Sequence, residues 1–321
     1  MRDHGGNIDR ATALWGGEDW IDLSTGINRQ PWPVPDLPPN VWTDLPTQAA
    51  KTALVAAAQE AFATHAPGVA LAGAQQAIQL IPRLFPPGRA RILAPTYNEH
   101  AAALRSVGWQ VDEVSRLADL AGADLAIVVN PNNPDGTHHP AQALRALASD
   151  VGRLVVDESF ADPVPELSVA GAAGERLIVL RSFGKFWGLA GLRLGFAFAD
   201  AATVTRLSEM AGPWPVAGPA LEIGRRALAD RDWHAATVAR LSAETARLDA
   251  LATHAGWEVI GGTHLFRSYA TPDATAARDR LARARIWSRI FPWSPTWLRL
   301  GLPGSEREWE RLEEVLGDGI R

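Results

Sequence analysis

From about Pro46 the chain alternates short apolar runs with segments of helical period. TQAAKTALVAAAQEAFATHA has the alanine content and spacing of a helix. VALA (69–72) turns at Gly73 into AQQAIQLIPRLF, and RILAP (91–95) leads into NEHAAALRSVG. WQVDEV is a short strand, and DLAIVVNP (124–131) passes through a turn to PAQALRALASD. RLVVDES (153–159) and RLIVLRS (176–182) follow, and LRLGFAFA is a further apolar strand. Apolar, β-branched runs separated by helices predict an α/β fold with a mostly parallel sheet covered on both faces. Ligands of such sheets sit at the carboxyl ends of the strands. The polar residues that fall there are Gly73-Ala74-Gln75, Tyr97, Asn130 to Asn133, Asp157 and Ser182 to Lys185.

The two ends have other textures. The first 45 residues are irregular: HGGN (His4–Asn7), a short helix, then the strand-like WIDLSTGIN. Pro31, Pro33, Pro35, Pro38 and Pro39 bar an interior helix or central strand, so this piece is expected to cross as an extended arm. After about residue 213 a long helical pattern breaks near Asp230. WEVIGGTHLFRSYA, a helix over roughly 273–284, WLRLGLP and a last helix then read as a smaller α+β domain. The expected division is an arm at 1–45, belonging in part to the small domain, a large domain at 46–225 and a C-terminal small domain at 226–321.

Composition narrows the function. With 321 residues, 47% apolar and 21% charged, the chain has the make-up of a globular protein, and a net charge of −5 disfavours nucleic acid as a partner. The absence of cysteine excludes disulfides, thiolate catalysis and cysteine-based metal sites. His138-His139 lacks a carboxylate at metal spacing, so no metal is expected. No apolar signal region and no membrane-spanning run are visible, which makes a cytoplasmic location the expectation. Most of the thirteen tryptophans are expected to be packing residues.

The chemistry centres on the stretch Arg181 to Phe196. Lys185 lies between two apolar strands, among Gly184, Gly188, Gly191 and Gly195, with Arg193 eight residues on. A lysine at a strand end among apolar neighbours is readily desolvated, which frees its amine as a nucleophile. As a Schiff-base lysine for pyridoxal 5′-phosphate it would need several partners. Asp157 is the carboxylate for the ring nitrogen, and Asn133 in NPNNPDG is the donor to the 3′ oxygen. Gly73-Ala74-Gln75 opens a helix and suits the phosphate through its N–H groups, with Ser182 and Arg193 adding a hydroxyl and a forked charge. Tyr97 is the candidate ring platform. Ser182-Phe183-Gly184-Lys185 also fits S-x-x-K, but the accompanying S-D-N and K-T-G elements are missing. Gly184-Lys185 is followed by phenylalanine rather than the serine or threonine of a Walker A loop.

The order Gly-turn, aromatic turn, NPNNPDG, VVDESF, SFGK and GLRLGF resembles the fold type I pyridoxal-phosphate enzymes, the aspartate aminotransferase superfamily, over essentially the whole chain. Within it, the chain looks most like histidinol-phosphate aminotransferases and the threonine-phosphate decarboxylases of cobalamin biosynthesis. HGGN followed by DLSTGIN, DESF with Phe160 where relatives place a tyrosine, and LAGAQQAIQLIPRLF lean toward the decarboxylases. That resemblance implies decarboxylation of L-threonine O-3-phosphate to (R)-1-aminopropan-2-yl phosphate, in a homodimer. It makes Arg299 the carboxylate-binding arginine and Arg289 a second anion contact, with His4 and Asn7 as further substrate ligands. Leu45-Pro46-Thr47 stands where relatives commonly have Tyr-Pro-Asp, a departure at the subunit contact. A histidinol-phosphate type of aminotransferase and a non-catalytic binding module are the alternatives.

Overall fold

The computed structural model describes residues 4–317. The chain divides into two compact units, one formed by Trp32–Asn133 and His138–Trp233, the other by Met1–Pro31, Pro134–Thr137 and His234–Arg321.

The Trp32–Trp233 unit is built on a seven-stranded sheet. Its strands run in the order Gly68–Leu71, Gly195–Phe198, Leu177–Ser182, Leu154–Asp157, Leu125–Val129, Arg89–Leu93 and Gln110–Val114. Five consecutive strands pair in parallel, from Leu177–Ser182 to the Gln110–Val114 edge. Gly195–Phe198 runs antiparallel to both of its neighbours. The sheet is thus mostly parallel with helices on both faces, as the alternating pattern predicts. The central strands LAIVV and LVVD are buried at every position, which is why they read as continuous apolar runs rather than alternating ones. Helix Ala201–Ala211 was not among the expected elements. Asp200 caps it, accepting from Ala202 N and Thr203 N.

A buried ion cluster ties two of these strands together. Arg181 donates to Glu158 and to Asp162, each at 2.9 Å, and its guanidinium lies 4.0 Å from the Phe62 ring centroid. Burial opposes the charge on Arg181, but Asp162 and Glu158 outweigh it and hold the group above its ordinary value. Glu158 also accepts from Ser168 Oγ and Val169 N, both at 2.6 Å. Glu158 follows Asp157 directly and Arg181 precedes Ser182, so the cluster fixes the ends of both strands.

The other unit carries an antiparallel sheet ordered Arg289–Phe291, Ser294–Gly301, Phe266–Ala270 and Glu258–Thr263. Helices Ala274–Arg283 and Glu306–Gly317 belong to it, and Ile21–Asp22 pairs in parallel with Ile286–Trp287. The N-terminal helix Ile8–Trp15 packs Ala11 against Ala282 and Trp287, with Ile8, Trp15 and Trp20 around them. The segment before it is closely built. A Cβ at Gly5 would lie 2.4 Å from Ser24 O, so no larger residue fits. Gly6 has φ +85 and its N–H donates to Ser24 Oγ at 2.7 Å.

Candidate active site

The nine candidate cofactor residues come from five strand ends and one strand start, all at one edge of the seven-stranded sheet. Gly73, Ala74 and Gln75 follow Gly68–Leu71, Tyr97 follows Arg89–Leu93, and Asn133 follows Leu125–Val129. Asp157 and Ser182 end their strands, Lys185 lies three residues further on, and Arg193 precedes the antiparallel Gly195–Phe198. That reversed strand starts at the edge where Leu177–Ser182 and Gly68–Leu71 end, with Gly195 in register with Ser182 and Leu71, which places Arg193 beside the glycine turn. A Cβ built on Gly73 would lie 3.0 Å from Arg193 Nη2. One on Gly195 would lie 2.3 Å from Ala74 N, so glycine there lets the strand pass the helix start. Gly73 has φ +77 and Arg193 φ +52, a left-handed conformation rare outside glycine.

Lys185 sits in the turn between Leu177–Ser182 and Gly195–Phe198. Its carbonyl accepts from Gly188 N at 3.2 Å, and Phe183 N donates to Leu194 O at 3.1 Å. Gly184 is needed there, since a Cβ would lie 2.8 Å from Ala190 Cα. The turn is anchored by buried aromatics: Trp187 stacks on Phe183 and on Trp233, with centroids 5.5 and 5.2 Å apart. The Lys185 amine lies 5.8 Å from the ring centroid of buried Phe160. A phenyl ring has no hydroxyl to offer a cofactor oxygen.

Asp157 is buried and is hydrogen-bonded through both oxygens. Its Oδ1 accepts from Ser159 N at 3.0 Å and Ser159 Oγ at 2.5 Å, and its Oδ2 lies 2.9 Å from His100 Nε2. Burial pushes the carboxyl up, but His100 and Ser159 together outweigh this and hold it below the usual carboxylate range. The structure therefore keeps an anion in a buried position. His100 was not among the sequence candidates, because 57 residues separate it from Asp157 and a lone histidine on a helix gives no signal.

Neighbouring polar residues are used for bracing. Asn130 Oδ1 accepts from His139 N at 2.8 Å, and Asn132 Oδ1 accepts from Thr96 Oγ1 at 2.6 Å. These bonds pin the NPNN turn and leave Asn133 half-buried beyond the strand end. Gln75 has a bracing role as well. Its side chain accepts from Tyr97 Oη and donates to Glu99, both at 3.1 Å. The side chain of Gln75 thus holds the tyrosine in place, and at this turn backbone N–H groups and Arg193 are what could meet a phosphate. Lysine, buried carboxylate, amide, tyrosine, glycine turn and arginine form a donor set that fits pyridoxal phosphate.

The four substrate candidates lie in the other unit. His4, Asn7 and Arg289 line one cavity of about 1130 Å³ together with Arg10, Arg278 and Ser288. Asn7 has a structural task there, capping helix Ile8–Trp15 by accepting from Arg10 N at 3.0 Å. Arg299 is buried, and its Nη2 donates to Ser24 O at 2.5 Å. Arg289 and Arg299 face each other across an antiparallel pair. Like charges at such positions repel. Burial first, then Arg289, pushes the Arg299 guanidinium down to about 9, with Asp22 opposing. Two arginines held together in this way are poised for an anion.

A family model described as aminotransferase class I and II matches residues 19–316. The chain belongs to the class I and II aminotransferase family. Among relatives of this aminotransferase-family chain, a threonine-phosphate decarboxylase of Sinorhizobium sp. is 44% identical over 98% of this chain and 97% of its own length. One from Pseudomonas aeruginosa is 41% identical over the same shares. Among solved structures, histidinol-phosphate aminotransferase of Sinorhizobium meliloti, in complex with pyridoxal-5′-phosphate, superposes with a TM-score of 0.85. It covers 98% of this chain and 94% of its own at 19% identity, which establishes the shared fold.

Proposed function

We propose that this chain is a pyridoxal-phosphate-dependent decarboxylase of L-threonine O-3-phosphate, yielding (R)-1-aminopropan-2-yl phosphate for cobalamin biosynthesis. The cross-strand pair Arg289 and Arg299 carries this reading from the side of the geometry. Two arginines in register suit a substrate with two anionic groups, a carboxylate and a phosphate. Histidinol phosphate has the phosphate but no carboxylate. The near-full-length likeness to two threonine-phosphate decarboxylases supports the same choice.

When bound at Lys185, the cofactor supplies an electron sink for a bond broken at the substrate's Cα. The remaining work falls to the chain. Asp157, kept anionic by His100 and Ser159, holds a proton at the ring nitrogen. Asn133 donates to the 3′ oxygen. Gly73-Ala74-Gln75 with Ser182 and Arg193 hold the cofactor phosphate through N–H, hydroxyl and guanidinium donors. Tyr97, braced by Gln75, packs against the ring. Arg299 and Arg289, with His4 and Asn7, take the substrate's anionic groups, and the orientation so imposed decides which bond breaks. Once the carboxylate has left, the Lys185 amine returns a proton to Cα.

A homodimer and a cytoplasmic location go with this reading. Trp42, Leu45 and Trp214 are exposed at 67%, 65% and 52%, and large apolar side chains left in the open favour a covering subunit. Among the described residues, no helix is long and apolar enough to cross a membrane.

Substrate choice tests the proposal. With cofactor present, threonine phosphate is expected to be consumed with kcat/KM at least ~100-fold above unphosphorylated threonine, because unphosphorylated threonine offers the arginine pair no phosphate oxygens for charge-assisted hydrogen bonds. Equal rates on the two, or turnover of histidinol phosphate alone, would reject the assignment.

A further inference from the structure

Ser288 lies between Trp287 and Arg289 in the IWSRIF segment, where no motif marks it. Its side chain is buried, 3% exposed, and among the described residues its hydroxyl has no hydrogen-bond partner. Other buried serines of the same unit are satisfied. Ser24 Oγ donates to Asp22 Oδ1 at 2.6 Å and accepts from Gly6 N, and Ser268 Oγ donates to the Pro134 carbonyl. A buried hydroxyl left unpaired is costly to the fold, so its persistence needs a reason. Ser288 lines the cavity that Arg10, Arg278 and Arg289 also line, with Asp9 as the acidic residue beside them. Arg278 is paired with Asp279 at 2.7 Å, and Arg10 and Arg289 against Asp9 still leave the cavity lining net positive, a place for an anion. A phosphate oxygen there would give the hydroxyl the acceptor that the protein withholds.

We propose that Ser288 is a specificity residue of this enzyme, its Oγ donating to the phosphate of the substrate. The proposal deepens the function assigned above and rests on it, except that phosphate binding itself can be measured without turnover.

Ser288→Ala and Ser288→Thr separate a ligand hydroxyl from a structural one. A structural serine stabilises the free protein. An unpartnered one does not, so Ser288→Ala without ligand is expected to keep or raise Tm, by roughly 2 °C. Inorganic phosphate should raise the Tm of the wild type, and Ser288→Ala should weaken phosphate binding about tenfold, one charge-assisted hydrogen bond's worth. In the holoenzyme the KM for threonine phosphate should rise about tenfold with kcat within about twofold, and Ser288→Thr should restore it. The proposal is overturned if Ser288→Ala lowers the ligand-free Tm while phosphate affinity stays unchanged, or if wild type binds no phosphate. Should wild type bind phosphate through Ser288 yet leave threonine phosphate intact, Ser288 stands and the decarboxylase reading falls.

Discussion

Lys185→Ala is expected to abolish turnover, lowering kcat by roughly 10⁴-fold or more, because one amine serves as both tether and proton carrier. The visible absorption of the lysine-bound cofactor should vanish with it. The chain makes this test unusually clean. It has two lysines, and the other, Lys51, donates at an exposed position to Pro213 O at 3.2 Å. Borohydride reduction of the wild-type holoenzyme should therefore fix the cofactor to the peptide containing Lys185. The fold should survive the substitution, since the turn is held by Phe183, Phe186 and Trp187, which are all fully or nearly fully buried. Label on Lys51, or a variant keeping more than about one hundredth of wild-type kcat, would remove Lys185 from its role.

Asp157→Asn should have the second largest effect. Asparagine matches the shape and can still accept from Ser159 at one oxygen, but it carries no charge to hold a proton on the ring. Losing a preorganised charge of this kind typically costs 10²–10³-fold in kcat, and the upper end is expected here because the site is fully buried. The substituted amide would also face His100, now without an anion at 2.9 Å. Cofactor binding should weaken alongside kcat. A variant within tenfold of wild type in kcat would show that the ring nitrogen needs no partner at this position.

The placement of the candidate residues at one edge of the sheet was legible in the chain because strand ends are legible. LAIVVNP, LVVDES and LIVLRS announce buried strands, and the residues at their carboxyl ends are Asn133, Asp157 and Ser182 to Lys185. What could not be read depends on contacts between distant residues. His100 reaches Asp157 only because two neighbouring elements converge, and Gln75 reaches Tyr97 for the same reason. Nothing in LRLGFAFA says that Gly195–Phe198 is inserted antiparallel between Gly68–Leu71 and Leu177–Ser182, although that insertion puts Arg193 beside Gly73. Helix Ala201–Ala211 escaped notice in a stretch where alanine, threonine and serine blur the period. On the substrate side, the likeness pointed to Arg289 and Arg299, but their facing positions across two strands emerge only from pairing. Asn7, singled out for the substrate, also caps a helix, a local task that the sequence H-G-G-N does not separate from ligand binding.

The fold serves aminotransferases and decarboxylases alike, and glutamate, the donor an aminotransferase would use, also has two anionic ends. The chemistry is therefore decided by what leaves Cα. Holoenzyme given threonine phosphate labelled in its carboxyl carbon should release one labelled CO₂ per molecule of aminopropanol phosphate formed, at a rate independent of added 2-oxoglutarate. Glutamate accumulating with the label retained in the keto acid, and no CO₂, would contradict the account.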